Sequence, residues 1–413
     1  RNSNIINKMR SFKQFHLNSQ LLTEAKANTH LTHLEELVLT KGEKGYDVAR
    51  TMISNLLSKL QGKSKRSVNT SVKWDGAPAV FAGKHPETGK FFVGTKSIFN
   101  NEPKINYTDA DVEMNHGHAP GLADKLKKAL KYLPKLGIKG ILQGDFMFDS
   151  SMLETVMQDG VKHIAFKPNT IKYAVEADSD LGKEIANSVF GIVFHTGYSD
   201  LNSPPQYGIN VKGLNKVPGV WVDDAVFTDA TGTVTLTKDE AKQVRDLAKT
   251  ADGIKVKYKD LPLDLLNIYA NSEIREGKFL DDAEGSYKGF MNWMKGRMEK
   301  EIAKRKSKTG KERITEAFKK KLADIKSRQK DIINLFKISK LLSQAKQIFV
   351  NKYNNAVYKT KHFLDNGDGT LTASNPEGYV AVGKEGDAVK LVDRLEFSRA
   401  NFSGGQTSTP ITK

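Results

Sequence analysis

Four consecutive residues, Lys73, Trp74, Asp75 and Gly76, bring a nucleophile, an acid and a glycine together. They lie in a β-rich run over residues 70–81 that continues into Phe91, Phe92, Val93 and Gly94. An amine attacks phosphorus only as the neutral base, and a free lysine with a pKa near 10.4 keeps its proton at neutral pH. A cation beside it, a bound metal or a second lysine, favours the neutral form. Side chains two residues apart on a strand share a face. Asp75 is therefore expected beside Lys73, orienting the amine or contacting the ligand, and Gly76 is expected to let the backbone approach that ligand closely. The plainer reading of the tetrad is an exposed strand end entering a turn.

Further along, Pro376, Glu377 and Gly378 open an apolar segment, Tyr379 to Val382, and a second segment, 387–394, carries Lys390. The short stretch 383–386 between them predicts an antiparallel hairpin. Two more apolar segments lie between the ends of the chain. Residues 140–148 contain Gly144 and Asp145, and residues 189–195 close on Phe194 and His195. Thr95, Lys96 and Ser97 follow the first hairpin.

In this order the segments resemble the motif series of the covalent nucleotidyltransferase superfamily, which comprises ATP-dependent RNA and DNA ligases and mRNA capping enzymes. Among these the look is nearest to phage RNA ligases. The resemblance implies an α+β fold: a ligase adenylation domain with a mixed, largely antiparallel β core and a mostly helical insertion. It implies that Lys73 attacks the α-phosphate of ATP to form a lysyl-AMP. Glu377 would hold Mg²⁺ or Mn²⁺ and Lys390 would contact the α-phosphate. Phe194 would stack on adenine, while Asp145 and Lys96 would contact the ribose. AMP would then pass to an RNA 5′-phosphate and be displaced by a 3′-hydroxyl. Three positions depart from the pattern: Asp145 stands for glutamate, His195 for an acid, and Val392 for a second lysine. Arg394 shares the face of Lys390 but would lie about 13 Å along the strand, too far to take over a phosphate contact. These departures bear on efficiency and on the later sealing steps, and leave Lys73 and Glu377 in place. They also support a second reading, a non-catalytic phage virion or nucleic-acid-binding protein on a decayed version of the same fold.

The bulk composition fits a polyanionic partner. The 413 residues carry a formal net charge of +17, and lysines that neutralise phosphates release counterions. Residues 281–350 hold 19 Lys+Arg and 9 Asp+Glu, so +10 of the surplus is concentrated there. Ile314, Phe318, Leu322 and Ile325 recur at helical spacing, as do Met291, Met294 and Met298. Lys304, Arg305, Lys306, Lys308 and Lys311 fall in a basic turn between two such helices and are the candidate RNA-contacting residues. Trp293 and the methionines read as packing residues. The chain has no cysteine, which excludes disulfides, zinc–thiolate sites and thiol catalysis. No run of 18 apolar residues is present, so no membrane span is expected. The expected location is the cytoplasm, that of the host if the chain is phage-encoded, with packaging in the virion as the other case.

Along the chain, residues 1–29 read as a flexible leader. Its Leu22, Thr23, Glu24 and Ala25 resemble the processing site of tailed-phage head proteins, with cleavage expected after Glu24. The nucleotidyltransferase domain is expected to occupy 30–235 and 360–400, around a basic helical insertion at 236–359, with a disordered tail over 401–413. RNA is expected over DNA, because the 23 residues after Lys390 are too few for an oligonucleotide-binding barrel.

Overall fold

A computed structural model describes residues 31–63, 68–229, 234–278, 280, 282–356, 358, 360–365, 370–384 and 386–394. The expected leader, the hairpin turn read at Asn366 to Gly369, and the expected tail lie outside these residues. The protein is α+β and divides into two compact units, with the chain crossing from one to the other after Lys73 and after Val226.

One unit is Trp74–Val226. Its main sheet contains β2 (Ala79–Lys84), β3 (Phe91–Gly94), β4 (Ile141–Asp149), β8 (Phe190–Tyr198), β9 (Gln206–Tyr207) and β10 (Val220–Asp224). The order is β10-β8-β4-β2-β3, with β9 paired to β8. Neighbours run antiparallel except β10, which pairs with β8 in parallel. One face is apolar because the strands alternate. Val80, Ala82, Phe146, Ile192 and Phe194 pack on Ala123, Leu126 and Ala129 of α3 (Pro120–Tyr132). Before it, α2 (Asp109–His116) begins with a reciprocal cap between Thr108 and Asp111. A second antiparallel array joins β5 (Glu154–Gln158), β6 (Val161–Phe166) and β7 (Ile171–Glu176), followed by α4 (Asp180–Ala186).

The other unit holds Leu31–Lys73 and the described residues from Phe227 onward. Helix α1 (Leu37–Leu60) breaks at Gly42. Strand β1 (Val68–Lys73) pairs antiparallel with β13 (Gly378–Gly383), and β13 with β14 (Ala388–Leu391). The hairpin read at 376–394 is thus formed. Helices α5 (Lys238–Asp252), α6 (Leu263–Arg275), α7 (Ala283–Ala303), α8 (Lys308–Ser327) and α9 (Gln329–Asn354) follow in the chain. Strands β11 (Lys361–Asp365) and β12 (Leu371–Ala373) then pair antiparallel.

Two sequence-based expectations change here. The helices of 236–359 do not form a separate insertion. Ile332, Leu335, Phe336, Phe349 and Tyr353 share one core with Leu56 of α1, Val68 of β1, and Tyr379, Ala381, Val389 and Leu391 of the sheet. A three-stranded sheet this narrow has one apolar face to bury, and the helical stripes are what bury it. Nor do the strands of the two expected domain halves, 30–235 and 360–400, make one sheet. β1 belongs with β13 and β14, whereas β2 onward builds the other unit. The expected packing role of Trp293 agrees with its place against this core, where it stacks on Phe290.

Candidate active site

Alternation along the three-stranded sheet decides which side chains share its polar face. Val68 and Val72 pack with the helical core, and the Thr70 hydroxyl lies 2.9 Å from the Tyr353 hydroxyl. Ser71 and Lys73 therefore face the opposite way. Tyr379, Ala381, Val389 and Leu391 are core residues too, which turns Val380 and Lys390 onto the side of Lys73. In register, Lys73 is opposite Gly378, Ser71 opposite Val380, and Val380 opposite Lys390.

Lys73 forms an ion pair with Glu377, the two side chains being 30% and 17% exposed. This pairing brings together residues 304 positions apart in the sequence. Gly378, next to Glu377, has φ +151°, and a Cβ there would come within 2.7 Å of the Leu391 carbonyl oxygen. A glycine is needed where the chain carries Glu377 into β13.

Lys390 is held by backbone on both sides. Its N–H donates to the Thr32 carbonyl at 3.0 Å, and it forms a parallel bridge with His33. Burial pushes its ammonium pKa below the ordinary lysine value, the charge of Lys73 adds to that, and Glu377 opposes it. His33 is pushed well below the usual histidine value, first by burial and then by the positive charges of Arg394, Lys346, Lys390 and Lys73. Just beyond β14, Arg394 pairs with Glu36 and donates to Asn271 Oδ1 at 2.8 Å. Because β14 ends at Leu391, Arg394 is not on the strand face shared with Lys390, as its spacing had predicted; it braces the segment carrying His33. Lys346 does the same from α9, donating to Glu35 Oε1 at 2.6 Å and to the Val392 carbonyl at 2.8 Å.

The other predicted site residues lie in the Trp74–Val226 unit. Asp75 is not on a strand beside Lys73, since β1 ends at Lys73. Its carboxylate accepts from Asn169 Nδ2 at 2.8 Å, Thr170 N–H at 2.7 Å and Ile171 N–H at 2.8 Å. All these bonds go to the chain entering β7, so the acid organises a loop rather than an amine. Gly76 is required for packing: a Cβ would lie 2.5 Å from Asp145 Cβ and 2.8 Å from Met147 Sδ. Asp145 lies 3.6 Å from His195 Nε2, so the two departures from the family pattern are neighbours. Lys96 is exposed in a single 3₁₀ turn, Lys96–Phe99. Phe194 is wholly buried in the unit's core, because Phe190, Ile192 and Phe194 alternate onto the helix-covered face. Its ring presents no surface on which a base could stack.

Lys304, Arg305, Lys306, Lys308 and Lys311 are all exposed, at the junction of α7 and α8. No group of three or more His, Asp or Glu side chains able to hold a metal occurs among the described residues. Glu377 is a single carboxylate, which suits a cation carried in largely by substrate phosphates, as Mg²⁺ often is. No described helix is long and apolar enough to cross a membrane.

The sequence reading missed Ser71, His33, Glu36 and Lys346. Alternation back from Lys73 was signal enough for Ser71. The others reach the site only through tertiary pairing.

A family model described as a family of unknown function, DUF6267, matches residues 28–406. The chain belongs to that family. The match takes in all the described residues of this DUF6267 protein, both units included. No curated protein and no solved structure matches it.

Proposed function

We propose that this protein is an ATP-dependent nucleotidyltransferase that joins polynucleotide ends, RNA foremost, through a lysyl-AMP on Lys73. The observation that carries this reading is the meeting of Lys73, Glu377 and Lys390 at one three-stranded sheet, from motifs at opposite ends of the chain. Nζ of Lys73 would attack the α-phosphorus of ATP. From the neutral amine the N–P bond forms as the bond to the pyrophosphate oxygen breaks; pyrophosphate leaves with that electron pair, and the proton shed by nitrogen passes to solvent. Lys390 lies on the same strand face, suited to hold an α-phosphate oxygen as negative charge develops. Glu377 would hold a divalent cation, which supplies charge neutralisation on the phosphates. Its ion pair with Lys73 keeps the amine at the strand end until nucleotide arrives. The net charge of +17 and the exposed lysines at the α7–α8 junction support a nucleic acid as the acceptor of AMP.

The buried ring of Phe194 favours a second reading, a nucleotide- or nucleic-acid-binding protein that no longer transfers. Incubation with α-labelled ATP and Mg²⁺ or Mn²⁺ separates the two. Label on the wild-type chain, lost in Lys73→Ala, is the expected outcome. No label with any nucleoside triphosphate, or label that persists in Lys73→Ala, would sink the transferase assignment.

A further inference from the structure

Ser71 and His33 lie in one row with Lys390. The register runs from Ser71 on β1 to Val380 on β13 to Lys390 on β14, and the bridge adds His33 beyond it. The four positions belong to four chain segments, yet they form one line across the polar face that carries Lys73. The hydroxyl of Ser71 is buried and has no hydrogen-bond partner among the described residues, and the same holds for Nδ1 of His33. Buried polar groups are nearly always satisfied, so two unsatisfied ones beside the half-buried Lys390 point to a missing partner. Positive charge surrounds that line. Lys73, Lys390, Lys346 and Arg394 all act on His33. Glu35 and Glu36 engage the last two and Glu377 engages the first. Lys390 is the cation in the row itself, with its own charge disfavoured by burial. An anion would supply what the two unpartnered groups lack, oxygen acceptors for a Ser O–H and an imidazole N–H, and would add negative charge beside Lys390.

We propose that Ser71 and His33, on either side of the α-phosphate ligand Lys390, form a polyphosphate subsite that holds the β- and γ-phosphates of a nucleoside triphosphate. The inference builds on the nucleotidyltransferase reading and names the part of the substrate this row takes. In that arrangement a nucleoside monophosphate gains little from Ser71 or His33, whereas a triphosphate gains from both. A hydroxyl and a neutral imidazole each provide one hydrogen bond to a charged oxygen, worth about tenfold in affinity. His33→Asn keeps a donor near the Nδ1 position and is expected to retain most of the binding that His33→Ala loses.

The test is calorimetric titration of the full chain with sodium tripolyphosphate, ATP and AMP. Wild type is expected to bind tripolyphosphate and ATP. Ser71→Ala and His33→Ala should each weaken both by about tenfold, with AMP affinity unchanged and circular dichroism like wild type. A variant that weakens AMP as much as ATP has lost structure, and His33→Asn then decides: tripolyphosphate affinity near wild type supports the subsite, and a loss equal to that of His33→Ala overturns it. Failure of wild type to bind tripolyphosphate overturns it, as does binding by both alanine variants like wild type. The outcome is separable from that of the labelling experiment. A chain that binds tripolyphosphate through Ser71 and His33 but never labels Lys73 keeps the subsite and loses the transferase.

Discussion

Replacing Lys346 by methionine tests whether the charged brace behind β14 holds the candidate site together. The Lys346 and Glu35 side chains are 3% and 9% exposed, so neither charge has water to fall back on. Lys346→Met removes the ammonium from Glu35 Oε1 and from the Val392 carbonyl. Glu35 Oε2 already lacks a partner, so the variant leaves a buried carboxylate with no cation against it. Stripping one member from a buried ion pair costs about 3–5 kcal/mol, and the orphaned carbonyl adds to that. A central figure of about 4 kcal/mol corresponds to about a thousandfold in the opening equilibrium. The Lys390 N–H bonded to Thr32 lies in the segment that opens, so hydrogen–deuterium exchange of the β13–β14 peptides reads the effect directly. The double variant Lys346→Met/Glu35→Leu removes both charges and is expected within about 1 kcal/mol of wild type, because an apolar pair of similar volume often replaces a buried ion pair at little cost. A single-variant effect under about 1 kcal/mol would refute the reasoning, as would a double variant no better than Lys346→Met.

Asp75→Ala should destabilise the Trp74–Val226 unit by about 2–4 kcal/mol, because it orphans two backbone N–H groups and Asn169. Unfolding in urea without nucleotide measures it, and a stable variant defective only in labelling would return Asp75 to a chemical role. Burial pushes the imidazole of His362 down to about 4. Above pH 6.5 it is neutral folded or unfolded. As pH falls from about 6.5 to about 4, the unfolded chain takes up a proton that the folded one refuses, so up to about 3 kcal/mol of stability is lost in that window. His362→Gln should flatten the pH dependence there, and an unchanged profile counts against the assignment. Reversing Lys304, Lys306, Lys308 and Lys311 to glutamate should weaken single-stranded RNA binding and reduce its log–log salt slope by roughly 0.7 per lost phosphate contact. Self-labelling with ATP should stay near wild type, and RNA affinity that does not move would make this loop a solvated surface.

Sequence by itself determined the local elements. The β-rich run 70–81 with Phe91 to Gly94, and the apolar segments 140–148, 189–195, Tyr379 to Val382 and 387–394, fall on strands, and a short turn between the last two specified the β13–β14 hairpin. Helical spacing placed the long helices after residue 238, and the basic junction of α7 and α8 was visible as composition. These are local signals, set by neighbours a few residues apart. Alternation also says which residues share a face, but not whether a helix will cover it. Phe194 was a stacking ring only by family resemblance and proved to be core, because a helix covers its face; Asp75 read as a partner of Lys73 by strand alternation and proved to organise the entry to β7, because β1 ends at Lys73. Only the tertiary structure decided that the helical segment shares a core with β1, β13 and β14, because an apolar stripe does not name the surface that buries it. Only the tertiary structure brought Lys73 to Glu377, and His33 to Lys390, since strand register across hundreds of residues is chosen by the packing of the whole unit and leaves no periodic trace in the chain.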